Sequence, residues 1–401
     1  MTERVEPPTD ALATAWTVPE LAARRHHDSG GMVVGYVSNN VPRELIAAAG
    51  AFAFEVRGAP DRSPEAGDTY MEDFHDGHVR SIFSRILEGD FDFVDLLVIP
   101  RSTEAYLQLY YYLLEARKWE PDRRFPAIHL FDVLQTPFWH SGRYVRAQVE
   151  ALRQRIGELS GRPIGENDLR SGIETVNRSR RSLRELNDMR RNRPDVVSGS
   201  DLLRTARAVG GMDPREHADA VDALVRERGA APANGRTHGP RVMVKGTQHD
   251  SLEVYTVLEE LGASIVADDH PTGERAFDHT IEVGDGGPIE ALTHHYQFDS
   301  LSARSYPQSR QDEIFMRMVA DAGVDGVVFF LEENDDTLGW DYPAQKKLLD
   351  EAGVPSCYLP YQPYFQPDTQ RLRTALAPFV ESLAAGTAGT TTAFDPEEMT
   401  A

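Results

Sequence analysis

Residues Met32–Ala51 read MVVGYVSNNVPRELIAAAGA. The apolar run Met32–Val37 has the length and composition of a buried strand. Pro42–Ala51 then places proline at the start and glycine near the end of a helix pattern. A strand that feeds a helix is the first half of a parallel β-α-β unit. The alternation continues downstream. Phe52–Arg57 is a second strand, Asp95–Pro100 (DLLVIP) a third and Ala127–Val133 (AIHLFDV) a fourth, with the helix Thr103–Arg117 between the last two. Alternation stops from about His140 to Gly229, where four segments carry helical periodicity and no strand intervenes. Ser198 to Asp201 and Asp213 supply N-cap chemistry there. AAPANGRTHGP (230–240) is a linker by composition.

Strands and helices alternate again beyond the linker. Arg241–Lys245, Ser264–Ala267, Gly326–Leu331 (GVVFFL) and Ser356–Leu359 are strands, and helices run through Leu261, over Arg310–Ala322, over Pro343–Ala352 and over Asp368–Leu383. The expected fold class is α/β, with two Rossmann-like or flavodoxin-like parallel-sheet domains separated by a helical segment. The expected divisions are a flexible N-terminal arm (1–30), an N-terminal α/β domain (31–139), a helical domain (140–230), a C-terminal α/β domain (240–384) and a disordered tail (385–401).

Composition narrows the function. A chain of 401 residues with 40% hydrophobic and 26% charged residues is an ordinary globular protein of two or three domains. No run approaches the ~20 apolar residues that cross a bilayer. The start, MTERVEPPTDALATAW, has no basic residues followed by an apolar run. A cytoplasmic protein without a membrane role is expected. A net charge of −22 argues against tracking nucleic-acid phosphates and against docking on anionic lipid. It leaves room for a small anionic ligand in a local pocket. The basic residues are nearly all arginine, and those between Arg178 and Arg193 suit an exposed, ion-paired helix face. Cys357 is the single cysteine, which excludes an internal disulfide, a CxxC pair and an all-protein thiolate cluster. Within PSCYLP it is expected as a small core residue.

Open α/β sheets place ligands beyond the carboxyl ends of their strands. Three ends qualify: Ser38-Asn39-Asn40, Arg101-Ser102-Thr103-Glu104, and Glu332-Glu333-Asn334-Asp335-Asp336. The first two run toward helix N-termini, which favour phosphate or carboxylate. The third offers Glu332, Asp335 and Asp336 as oxygen ligands for a hard divalent cation. The bland alternative makes Ser38, Thr103 and Asp335 N-cap or loop residues, and the acidic run a solvated loop. His75 with His78, and His294 with His295, are metal-ligand types that more commonly sit solvated. No GxGxxG, HExxH or GxSxG occurs, and GTQHD (246–250) is too weak for a phosphate loop.

Taken in order, these segments resemble the D-component of the 2-hydroxyacyl-CoA dehydratases, a family that includes benzoyl-CoA reductase subunits. GYVSNNVPRELIAAAGAFAFEVRG is similar to the family's opening strand and helix, and VDLLVIPRSTEAYLQLYYYL to its second ligand loop. The stretch from Ser160 to Leu203 is similar to its middle domain and carries the most specific match. VADDHPTGER, VDGVVFFL and DYPAQKKLLDEAGVP complete the order, and LRTALAPF resembles the closing helix with Ala375 where arginine is common. The resemblance implies paired, related subunits, four-iron four-sulfur clusters held by cysteines, and an ATP-dependent activator that delivers one electron to an acyl-CoA thioester. It also implies that the family's cysteines stand where this chain has Ser38, Thr103 and Asp335, while Asp336 and Tyr342-Pro343 still match. Oxygen donors are poor replacements for thiolates around a soft cluster.

The implied function is a cluster-free subunit of a lyase or reductase complex acting on acyl-CoA thioesters. A cysteine-bearing homologous subunit would hold the cluster, and the pair would form a dimer. Ser38, Thr103 and Asp335 would line the former cluster cavity, with Asn39, Asn40, Ser102, Glu104 and Asp336 as substrate-pocket candidates. Two alternatives stay open. One is a non-catalytic scaffold that binds acyl-CoA or another anion. The other is a non-redox enzyme with a divalent metal at Glu332, Asp335 and Asp336.

Overall fold

The computed structural model describes residues 8–232, 239–386 and 392–393. Parts of the expected arm (1–7), linker (233–238) and tail (387–391 and 394–401) lie outside the described residues. Strands β1 (Val33–Tyr36), β2 (Phe52–Glu55), β3 (Leu96–Pro100) and β4 (Ala127–Phe131) form one parallel sheet in the order β2-β1-β3-β4. Strands β5 (Arg241–Gly246), β6 (Ser264–Asp269), β7 (Gly326–Glu332), β8 (Ser356–Gln362) and β9 (Thr392–Ala393) form a second, in the order β6-β5-β7-β8-β9, again parallel. The protein is thus α/β with two parallel-sheet halves, as the alternation predicts.

Each sheet is covered on both faces, which is why its strands read as unbroken apolar runs. Val34, Leu96 and Val98 pack to one side of the first sheet, with Leu45 and Ile46 of the helix Arg43–Ala48 and Val145 and Val149 of Trp139–Leu159. Val33, Leu97 and Ile99 pack to the other, against Val79 and Phe83 of Gly77–Leu87 and Leu109 and Leu113 of Glu104–Trp119. The second sheet divides in the same way, with Val242, Val244 and Val328 on one face and Met243, Val327 and Phe329 on the other. This is the period-two alternation of a pleated strand. Cys357 lies fully buried in the first of these two layers, and burial pushes its thiol up to about 12.

The helices Trp139–Leu159, Glu166–Asn192, Gly199–Ala208 and Pro214–Ala230 lie between the sheets in sequence. Ser198 caps Gly199–Ala208 through the Asp201 N–H, and Asp213 caps Pro214–Ala230 through the Arg215 N–H. Among the described residues no helix is long and apolar enough to cross a membrane.

Three expectations are revised. The segment expected as a loose arm holds two helices, Pro8–Thr17 and Glu20–Asp28. Leu12 and Ala15 pack against Leu183, Leu202 and Leu224, so burial of a small apolar face orders a stretch without clear periodicity. The arginine-rich helix is not simply an exposed face. Arg178 and Arg181 are exposed and ion-paired, but Arg180 and Arg190 are buried. Arg180 sits 2.6 Å from Glu44, and Arg190 bridges Asp268 and Glu274. Finally, Ile281, Ile289, Leu292 and Tyr296, expected within the C-terminal domain, pack in the core of the first sheet. The chain crosses back before returning to the second sheet.

Gly172 sets how closely the longest helix approaches its neighbour. A Cβ there would lie 2.3 Å from the Glu44 carbonyl oxygen and 2.8 Å from the Ala48 nitrogen. Alanine favours helix over glycine by about 1 kcal/mol. The clash is with backbone, which cannot swing away as a side chain would. Gly172→Ala is therefore expected to lower stability by about 1–3 kcal/mol, read as a fall in the urea midpoint.

Candidate functional site

In both sheets the chain reverses its direction of progress between the first and third strands, β1 and β3 in one and β5 and β7 in the other. Connections leave these neighbouring strands to opposite sides, and the gap between them is where open α/β sheets bind ligands. Here the two gaps face each other across one cleft of about 340 Å³. Ser38 follows β1, Ser102 and Thr103 follow β3, Gly246 to Gln248 lie at and beyond the end of β5, and Glu332 and Asp335 lie at and beyond the end of β7; all line the cleft. The backbone turns sharply at two of these ends, with Ser38 at φ +62° and Asn334 at φ +67°. Left-handed conformations in non-glycine residues concentrate at functional sites.

Most sequence candidates converge here, with different surroundings. Thr103 Oγ1 accepts the Tyr106 N–H at 3.3 Å, capping the helix Glu104–Trp119. Asp335 Oδ1 accepts the Leu338 N–H at 3.2 Å and caps Asp336–Ala352. The N-cap alternative therefore describes both residues, and both still line the cleft. Ser102 is buried with no hydrogen-bond partner for its hydroxyl among the described residues. Glu104 lines the rim and pairs with Arg304. Asn40 also lines the cleft, but its amide is spent on Ser300 and on the Leu301 carbonyl, tying down the crossing segment. Asn39 does not line the cleft; its amide donates to the Arg275 carbonyl at 3.2 Å. The side chain of Asp336 lies outside the described residues.

Several lining residues were not singled out from sequence. Asp76 caps the helix Gly77–Leu87 through the Val79 N–H at 3.0 Å. Tyr106 donates its hydroxyl to Gln248 at 2.6 Å, joining the two halves across the cleft. His75, weighed only as a metal ligand, is held between Gln108 and Tyr112 at 3.0 Å each. The usable signals were modest. Asp76 directly precedes an apolar helix pattern, and GTQHD ends a strand although it is no phosphate loop.

The cleft has a negative field. Burial pushes the Glu332 carboxyl well above the ordinary carboxylate range, and Asp76, Asp250 and Asp335 push in the same direction. Burial likewise raises Asp76. Arg275, the lining guanidinium, is ion-paired with Asp269. Just behind the wall, His78 Nδ1 lies 2.6 Å from Asp250, which also accepts from Tyr364 at 2.6 Å and from Arg207 at 2.8 Å. Burial opposes ionisation of Asp250, but His78 and Arg207 hold its carboxyl far below the ordinary range. His78 is therefore committed to a carboxylate. His294 is exposed and His295 buried, each near Asp299. Among the described residues no three His, Cys, Asp or Glu side chains are grouped to hold a metal ion. Burial and like charges that push Glu332 up weaken it as a ligand for a divalent ion, and the Asp336 side chain, the third group of that reading, lies outside the described residues.

The sequence profile of the 2-hydroxyglutaryl-CoA dehydratase D-component matches residues 38–383. The chain belongs to this family. Similar proteins include the (R)-phenyllactyl-CoA dehydratase beta subunit of Clostridium sporogenes, 23% identical over 91% of this chain and 96% of that protein. The (R)-2-hydroxyglutaryl-CoA dehydratase subunit beta of Acidaminococcus fermentans is 22% identical over 91% and 96% of the two chains. A benzoyl-CoA reductase subunit of Thauera aromatica is 25% identical over 82% and 85%.

Within this D-component, the cleft does not fit an iron-sulfur cluster. Its donors at the strand ends are the hydroxyls of Ser38 and Thr103 and the carboxylate of Asp335, and the last two already serve helix N-termini. The lone thiol, Cys357, is buried in the sheet core and does not line the cleft. Hard oxygen donors in an acidic surround are mismatched to a soft cluster.

Proposed function

We propose that this D-component is the cluster-free subunit of a heteromeric system of the 2-hydroxyacyl-CoA dehydratase or benzoyl-CoA reductase type. It contributes subunit interface and part of the acyl-CoA pocket, while a cysteine-bearing homologous subunit holds the four-iron four-sulfur cluster and receives electrons from an ATP-dependent activator. The observation that supports this most is the cleft at the facing reversal points. It keeps a ligand-sized space at strand ends where the family resemblance puts cluster cysteines, and fills those positions with Ser38, Thr103 and Asp335. In this reading the chain supplies walls and hydrogen-bonding groups. The reduced thioester is generated on the partner's side.

Two experiments test it. Co-expression with a cysteine-bearing homologue is expected to give a stable brown complex whose iron stays with the partner and which turns over an acyl-CoA. A colourless mixture that never associates would count decisively against the assembly. Separately, a Ser38→Cys, Thr103→Cys, Asp335→Cys triple variant is expected to take up iron and acid-labile sulfide on anaerobic reconstitution, where the unaltered chain takes up none. Equal uptake by both would show that these positions are not the former ligand positions.

A further inference from the structure

Glu332 stands out among the cleft residues. It is 7% exposed and lines the cleft, and its carboxyl has no hydrogen-bond or ion-pair partner among the described residues. The charges that act on it are those of Asp76, Asp250, Asp335 and Glu333, all negative. A buried carboxyl without a donor or a counter-charge is an expensive arrangement unless something else completes it. Ser102, on the opposing sheet, repeats the pattern with a hydroxyl that is buried and unpartnered beside the same cleft. A carboxyl set among like charges and an unsatisfied hydroxyl, from different halves of the molecule, thus meet one space.

We propose that the cleft binds a small organic cation, with an ammonium group seated against Glu332. The other lining groups agree with that chemistry. Asp76 and Asp335 add negative charge, and Ser102 can accept an N–H. Phe74 and Tyr106 supply aromatic surface, which attracts cations through the ring faces. Arg275, the one lining guanidinium among the described residues, is turned to Asp269, so it is not free to recruit an anion. A bare metal ion is disfavoured by the lack of a ligand group among the described residues. A volume of about 340 Å³ lies at the small end of the range for ligand pockets and suits an amine of a few carbons. The ammonium belongs either to a free amine or to the amino group of an acyl chain.

The test uses the full chain alone and so is separate from the assembly. In calorimetric titrations at neutral pH, 1,4-diaminobutane is expected to bind at one site, and butyrate and magnesium chloride to show no binding. Glu332→Gln keeps the shape of the side chain but cannot serve as a counter-ion. It is expected to weaken diaminobutane binding tenfold or more. Asp335→Asn keeps the helix cap and is expected to weaken it severalfold, so the proposal stays testable if the first variant does not fold. Binding of butyrate in place of the diamine, competition by magnesium, or equal diamine affinity in the original chain and both variants would overturn the proposal. Comparison of 4-aminobutyryl-CoA with butyryl-CoA then separates the sources. A preference for the amino compound assigns the ammonium to an acyl chain, and no preference assigns it to a free amine.

Discussion

Replacing Arg190 with alanine is expected to destabilise the protein by about 3–5 kcal/mol. Arg190 is 0% exposed, at the centre of a buried network. Its Nη1 lies 2.5 Å from Asp268 and its Nη2 lies 2.7 Å from Glu274. Tyr255 adds a hydroxyl to Asp268 at 3.1 Å, and burial opposes ionisation of that carboxyl while Arg190 holds it below the ordinary range. The intact network need not be strongly stabilising, because three charged groups were taken from water to build it. Removing the cation alone is different, since it leaves the buried Asp268 without its guanidinium and Glu274 with only Arg191 as a cationic partner among the described residues. It also removes the ion pair between the longest helix and β6, to which Asp268 belongs. Arg190→Lys is expected to recover little, because one ammonium cannot reproduce a planar fork that spans two carboxylates. Urea unfolding of both variants checks this. A loss under about 1 kcal/mol for alanine would show that water enters and rescues the site.

The second large effect is acid lability that begins near neutrality. His217 and His270 are both fully buried, and burial lowers each from 6.5 to about 4. His217 Nε2 donates to the Thr205 carbonyl at 2.8 Å, and Nδ1 accepts from the Ser179 hydroxyl at 2.9 Å, which fixes a neutral ring. His270 is held by Tyr255 at 2.7 Å and Thr272 at 3.0 Å. The unfolded chain takes up these protons as the pH drops through 6.5, while the folded chain refuses them until about 4. In that window the unfolded state binds more protons, so stability falls as pH falls. Above 6.5 both states are neutral at these rings and the slope from them vanishes. Each ring contributes up to about 3 kcal/mol across the window. Below it, Asp250 and Asp269, both held low by basic neighbours against the opposing effect of burial, lose their pairing as well. Glu274 works the other way, because burial raises it to about 7 and the folded chain takes up its proton first, so urea midpoints are expected to fall from pH 6.5 to 4.5 by less than the two rings alone would give. A flat profile down to pH 4.5 would refute the neutral, proton-resistant rings.

The parallel sheets were legible because both faces are buried. MVVGYV, DLLVIP and GVVFFL carry no polar alternation to confuse them with surface strands, and each is followed by a helix signal. Ser38, Thr103 and Asp335 could be brought to one site because strand ends gather on one edge of a parallel sheet. That the two edges confront each other was not legible, since no local pattern sets how one sheet sits against another. For the same reason Arg180 and Arg190 looked like their exposed neighbours. Their partners, Glu44, Asp268 and Glu274, lie far away in sequence. Tyr106 and Gln248 escaped notice likewise: a hydrogen bond between residues 142 apart leaves no trace in either segment.

The return of Ile281 to Tyr296 to the first sheet has a consequence for how the chain is made. Tyr296 packs on Phe131 and donates its hydroxyl to Glu44, and Leu292 and Ile289 complete the same apolar layer. The ribosome releases the strands of that sheet first, but the layer that seals one face emerges more than a hundred residues later. At about 5–20 residues per second, the apolar flank of the early half waits many seconds for its cover. The nascent chain therefore passes through a stage in which its first half is formed but greasy on one side. Fragments ending before the crossing segment are expected to be taken up by chaperones or to aggregate, whereas release of the complete chain closes both halves together.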